Sequence, residues 1–182
     1  MVMKMILIQK RKAKRFNIIR GKIELQRDIY RLPEENECFK LISNGSFSSV
    51  CFVGLVAQQS KIKNLYISTF HVGKKEILFL DSLKKSGRLE NVEFVVCSII
   101  NESKKTAKYG YSDLLMNVCE KNGWKVSTQK NHSKVHLYDT DIGKFVLETS
   151  SNLNENPKIE QFSFEKDEEL FDFYAKNIFE CE

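Results

Sequence analysis

At 182 residues, 42% of them hydrophobic, the chain is long enough and apolar enough for one domain with a sizeable core. Its formal charge of +5 is uneven: ten Lys and Arg crowd residues 1–31 beside only Glu24 and Asp28, and the remainder is slightly acidic. No apolar run is as long as a membrane span, and the start, "MVMKMILIQKRKAKRF", sets apolar before basic residues, the reverse of a secretory signal, so neither a membrane nor export is expected.

The basic run "KRKAKR", Lys10, Arg11, Lys12, Lys14 and Arg15 among it, reads as a solvated face, a tail, or an arm that neutralises phosphates. "ECFKLIS" is a candidate strand closed by the turn signal "NGS". "FSSVCFVGLVAQQS" offers hydroxyls to cap a helix and apolar residues to bury it. "NLYISTF" (64–70) suits a buried strand. "KKEILFLDSLKKSG" puts Ile77, Leu80 and Leu83 on one helical face and stops at Gly87. "NVEFVVCSII" is a further buried strand, and "YSDLLMNVCEKNG" a helix with a possible cap at Ser112 and an end at Gly123. Then come three strand-like runs, "KVHLYD", "KFVLETS" and "IEQFSF", joined by short polar turns. "KDEELFDFYAKNIF" closes as a helix with acidic residues in its first turn and an aromatic stripe of Phe171, Phe173, Tyr174 and Phe179. This order predicts an α/β fold, a mixed sheet with helices on both faces. The five cysteines are scattered, odd in number and without a CxxC pair, which fits reduced thiols of a cytoplasmic protein and gives no zinc site.

The chain has only three histidines, and two of them fall in "HSKVHLYD" (132–139). Strand alternation would place His132, Lys134 and His136 on one face and turn Val135 and Leu137 into the core. The bland alternative is an ordinary strand with a polar outer face. "FVLETSSNLNENPKIEQF" then adds Ser150, Asn152, Asn156 and Glu160. Imidazole, ammonium, hydroxyl, amide and carboxylate together suffice for phosphodiester chemistry without a metal or cofactor. Trp124, Tyr109 and Tyr111 are read as core or rim, not as base-stacking residues.

His132-Ser133-Lys134, with Asp139 five residues after the lysine, matches the HxKx4D signature of the phospholipase D superfamily, and "TSSNLNENPKIEQF" resembles the GSxN segment that follows it. The resemblance is strongest over 131–162 and reaches back loosely to about residue 60. The family's glycine before the serine is Thr149 here, and His71 lacks the lysine needed for a second motif. Residues 1–36 have no counterpart in the family and are read from their charge as a basic arm, while the resemblance implies a phospholipase D-like catalytic domain over 37–182. It implies His132 as nucleophile, Lys134, Ser150 and Asn152 around the phosphoryl oxygens, Glu160 orienting an imidazole, and Asp139 and Asn156 in support. One motif per chain implies a symmetric homodimer with a shared site. The expected activity is a metal-independent nuclease with no cofactor, acting on nucleic acid, DNA ahead of RNA. A binding protein of the same fold without turnover, and a hydrolase of lipids or small phosphodiesters, are the alternatives.

Overall fold

The computed structural model describes residues 13–19, 31–44, 47–98, 111–155 and 157–180; over 13–19 and at 44 it describes the backbone. Eight strands form one mixed sheet in the order β1-β2-β8-β7-β6-β3-β4-β5. They are β1 (Ala13–Ile19), β2 (Glu37–Asn44), β3 (Ile62–Thr69), β4 (Leu89–Cys97), β5 (Lys125–Gln129), β6 (Val135–Thr140), β7 (Gly143–Thr149) and β8 (Ile159–Lys166). The helices are α1 (Val50–Gln59), α2 (Lys74–Lys85), α3 (Ser112–Asn122) and α4 (Glu168–Tyr174), the last running into a π-helical turn, Ala175–Phe179. Among the described residues, no helix is long and apolar enough to cross a membrane.

The chain builds the sheet in two styles. β3, β4 and β5 run parallel, with α2 and α3 as the intervening crossovers. β6, β7 and β8 form an antiparallel meander, whose first turn is the two-residue loop Asp141-Ile142 between the paired Thr140 and Gly143. Gly143 has φ of 127°, a left-handed value that favours glycine. β8 pairs antiparallel with β2, and β2 parallel with β1.

Both faces are covered. α1, α2 and α3 contribute Phe52, Val56, Ile77, Leu80, Leu115 and Val118 to the main core, against Phe39, Leu65, Phe94, Tyr138 and Phe164 of the sheet. The centre of this layer is aromatic: Phe52 lies 5.4 Å from the ring of Phe162 and 5.4 Å from that of Phe164. The buried carboxylate of Asp81 ties α2 to α3. It accepts from Asn122 and Lys121 and pairs with Lys85, and these contacts hold it far below the usual carboxylate range, Asn122 foremost. On the opposite face, Val135, Leu137 and Val146 pack against Phe171 and the turns that follow it.

The expected elements are present, with differences that have local causes. Residues 13–19 belong to the stretch read as a basic arm, yet their backbone is a sheet strand; the side chains of Lys14 and Arg15 are not described, and Lys10, Arg11 and Lys12 lie outside the described residues. β5 was not anticipated, because "KVSTQ" alternates exposed and half-buried residues without a strong apolar signal. α3 ends at Gly123 as expected: the left-handed glycine lets the Trp124 N–H reach Cys119 O at 2.8 Å. Its N-cap, however, is Tyr111, and Ser112 is the first helical residue. Tyr111 is exposed and Tyr109 lies outside the described residues, as does the end of the expected strand at 99–100. Trp124 is core, its indole N–H donating to Glu90 O. The final helix is capped by Asp167, which accepts from the Leu170 N–H at 2.9 Å. Its aromatic stripe divides: Phe171, Tyr174 and Phe179 pack on the sheet, while Phe173 is 58% exposed.

The aromatic layer predicts the behaviour of one substitution. Phe52→Ala removes a side chain that is fully buried against Phe47, Phe162 and Phe164. It will lower the unfolding free energy by about 3–5 kcal/mol, measured by urea denaturation followed by circular dichroism.

Candidate active site

The expected site residues lie along one edge of the sheet, where β3 and β4 end, β6 begins, β7 ends and β8 begins. The antiparallel meander brings them there. The Thr149 N–H donates to Lys134 O at 3.1 Å, and the Ser150 N–H donates to Gln161 O at 3.1 Å, so the segments carrying Lys134, Ser150 and Glu160 are fastened side by side.

His132 and Lys134 precede β6, which starts only at Val135. The Lys134 ammonium lies 3.1 Å from His132 Nδ1 and donates to His132 O at 2.7 Å. The imidazole packs against the ring of Phe70, at 5.3 Å between centroids. Burial pushes the Lys134 ammonium below its usual value, and the Glu160 carboxylate opposes that shift. The Ser150 hydroxyl donates to Glu160 and accepts from the Gln161 N–H at 3.0 Å. The Asn152 carbonyl accepts from Ser49 Oγ at 3.2 Å and Ser151 Oγ at 3.0 Å, while its side-chain Oδ1 is buried with no hydrogen-bond partner. A buried acceptor left unmade costs about 1–3 kcal/mol; it stands in the loop expected to meet the phosphate. Asn156 lies outside the described residues.

No family model matches this sequence, and no curated protein matches it. Solved structures do. Phosphatidylserine synthase from Haemophilus influenzae Rd KW20 superposes over 78% of this chain and 39% of its own, at 18% identity and a TM-score of 0.53. Polyphosphate kinase from Porphyromonas gingivalis superposes over 78% of this chain and 26% of its own, at 15% identity and a TM-score of 0.53. The fold is phospholipase D-like. The chain spans well under half the length of either neighbour.

Within the phospholipase D-like fold, residues that the motif left unmarked hold the site in place. Asn131 is the chief one. Its amide donates to Ser68 Oγ at 2.9 Å and to Val95 O at 3.1 Å, and its Oδ1 accepts from the Ser133 N–H at 2.9 Å. It thus ties the His132 segment to the ends of β3 and β4. An asparagine directly before the motif was the available signal, because its side chain readily bonds backbone two residues on. Thr149, in place of the family's glycine, spends its hydroxyl on the Ser151 N–H at 2.9 Å and so closes the turn. Asp139 accepts from Asn64 at 2.8 Å across the β3–β6 pair, a brace within the sheet.

His136 corrects the sequence reading. It does not share an outer face with His132 and Lys134. Those two precede the strand, and β6 is covered on both sides, so His136 points into the main core and is fully buried. Its Nδ1 lies 3.3 Å from Tyr138 OH and its Nε2 lies 3.5 Å from Ser49 Oγ. Ser49, at the N-cap of α1, makes no side-chain cap bond and instead joins His136 to Asn152. Among the described residues, no group of three or more His, Cys, Asp or Glu is placed to hold a metal ion.

Burial pushes the His136 pKa down to about 3. The unfolded chain therefore binds this proton more readily than the folded one, and the linked stability is lost as pH falls from about 6.5 toward 3. The unfolding free energy will fall across that window with a contribution approaching about 1.4 kcal/mol per pH unit. His136→Gln, which cannot titrate, will reduce that slope between pH 6.5 and 4.5, above the range where Asp81 protonates, and leave the part due to His71, whose pKa burial also lowers; urea titrations at a series of pH values measure it.

Proposed function

We propose that this chain is a metal-independent phosphodiesterase of the phospholipase D superfamily, a cytoplasmic nuclease acting as a homodimer. The observation that carries this reading is the pairing of His132 and Lys134 beside Ser150 and Glu160 on the fastened ends of adjacent strands. The structural neighbours add support, since both names belong to enzymes that handle a phosphoryl centre. The basic residues of the first thirty-one directs the choice of diester toward nucleic acid, DNA ahead of RNA.

The chemistry follows from the donor set. Lys134 engages a phosphoryl oxygen and so comes off His132 Nδ1; the ring proton then passes from Nε2 through water to Nδ1, which leaves the lone pair on Nε2. Nε2 attacks phosphorus, a P–N bond forms and the ester P–O bond breaks. The departing oxygen takes a proton from the second imidazole, His132 of the partner subunit. Water then attacks the phosphohistidine, gives its proton back to that imidazole, and releases the monoester and the free His132. Lys134 and Asn152 stabilise the charge on the oxygens, joined by Ser150 once its hydroxyl turns from Glu160 toward the phosphoryl group. Glu160 orients an imidazole, the role that the motif resemblance implies for it.

The test is cleavage of labelled single- and double-stranded DNA and RNA in excess EDTA. Cleavage will persist, and acid-labile phosphate will be trapped on the wild type by rapid quenching. His132→Asn and Lys134→Ala will each reduce turnover by a factor on the order of 10³ with unchanged melting. Wild-type activity in His132→Asn, or magnesium-dependent activity, would overturn the mechanism. Nucleic-acid binding with no cleavage of any diester would favour a binding protein instead.

The shared site makes a second measurement decisive. One motif gives one imidazole per chain, and the reaction uses two. Sedimentation equilibrium at micromolar concentration will report two chains; an active monomer would refute the shared site.

A further inference from the structure

A cavity of about 760 Å³ opens beside Lys134 on the sheet face that also carries α4. Lys40, Ile42, Lys134, Glu148, Gln161 and Ser163 are among its lining residues. Its size suits a bound organic group. Its floor is set by register: Lys40 pairs with Ser163, Ser163 with Glu148, and Glu148 with Val135, the residue after Lys134. Three strand spacings separate Lys40 from Val135, about 14 Å. The groove therefore runs across the strands, with one lysine near each end.

The chemistry along it is mixed in a specific way. The Lys40 ammonium donates to Ser163 Oγ at 2.6 Å and has no carboxylate partner among the described residues. Glu148 is engaged by the Tyr174 hydroxyl, which fixes the wall on the α4 side. Ile42, beside Gln161 in the next row, is 48% exposed, and Ile159 on the same face is 72% exposed. The apolar side chains of Ile42 and Val135, set among the amide of Gln161 and the carboxylate of Glu148, suit a planar base with polar edges. A cation bonded to a hydroxyl and not to a carboxylate among the described residues, its backbone three strand spacings from that of Val135, suits a second anion on the same molecule. An acyl chain would want an unbroken apolar sleeve, whereas a nucleic-acid strand alternates bases with phosphates at intervals.

We propose that this groove seats the nucleotides flanking the scissile phosphate of a single strand, with Lys40 taking a phosphate beyond the adjacent one and Ile42 underlying a base. The proposal rests on the nuclease reading above and makes that site selective for an extended single strand over a minimal diester. Two readouts separate the failure of one from the failure of the other.

The first readout is the ratio of kcat/KM on a single-stranded tetranucleotide to kcat/KM on bis-p-nitrophenyl phosphate. Lys40→Ala will lower it about tenfold through KM, Lys40→Arg will retain most of it, and Ile42→Glu will lower it as well. The second is fluorescence-anisotropy binding of a labelled single strand to His132→Asn protein, which needs no turnover. Adding Lys40→Ala to that protein will reduce the slope of log affinity against log salt by about 0.7. An unchanged ratio and slope would overturn the groove assignment. So would Ile42→Glu converting a dimer to a monomer with the ratio unchanged, because this face would then be a contact between copies. Absence of bis-p-nitrophenyl phosphate hydrolysis together with the expected slope change would sink the catalytic reading and leave the groove standing.

Discussion

The candidate site depends on the register of three antiparallel strands. β6, β7 and β8 are locked so that Thr149 N–H meets Lys134 O and Ser150 N–H meets Gln161 O. No covalent link or long helix positions Lys134, Ser150 and Glu160; the ladder does. A slip of one residue would send Tyr138, Phe145 and Phe164 out of the main core and bring their neighbours in. The aromatic core therefore enforces the alignment of the chemistry, and both are specified by the same alternation of side chains. Gly143 contributes at the other end, where its left-handed backbone lets a two-residue loop close the β6–β7 pair.

Most of this was legible in the sequence because the dominant signals are local. Apolar runs marked β3 and β4, Gly123 marked the end of α3, and acidic residues marked the start of α4. The motif residues were legible because their types and spacing are uncommon together. What was hidden is what depends on distant pairing. β5 finds its place through β4 and α3, although its own residues alternate weakly. β1 is recruited by β2 from a stretch that composition alone marks as basic. The face of His136 was misjudged because alternation was extended through residues that are not yet strand, and because α4 covers a face that could have been solvent.

His136 shows how the molecule divides its histidines between tasks. His132 lies at the rim against Phe70, within reach of an ammonium. His136, only four residues on, is held among apolar groups where a proton is disfavoured. The second imidazole still serves the site indirectly. Through Ser49 it connects to the carbonyl of Asn152, so the start of α1, the core of β6 and the loop after β7 share one chain of polar contacts. A hydroxyl that propensity assigns to helix capping is thereby used to brace that loop.

The parallel pairing of β1 with β2 bears on how the chain tolerates trimming. Seven residue pairs, from Ala13–Glu37 to Ile19–Ser43, close the outer side of β2. A protein shortened to begin at residue 36 would keep the motif but strip that cover, leaving a row of unpaired peptide groups along a strand whose flanks include Phe39 and Leu41. Bare edges of this kind recruit other chains. With β1 in place the unpaired row belongs to β1 itself, the outermost strand, so the edge of the sheet falls on a stretch that carries Lys14 and Arg15 and is less inviting to a second chain than β2 would be.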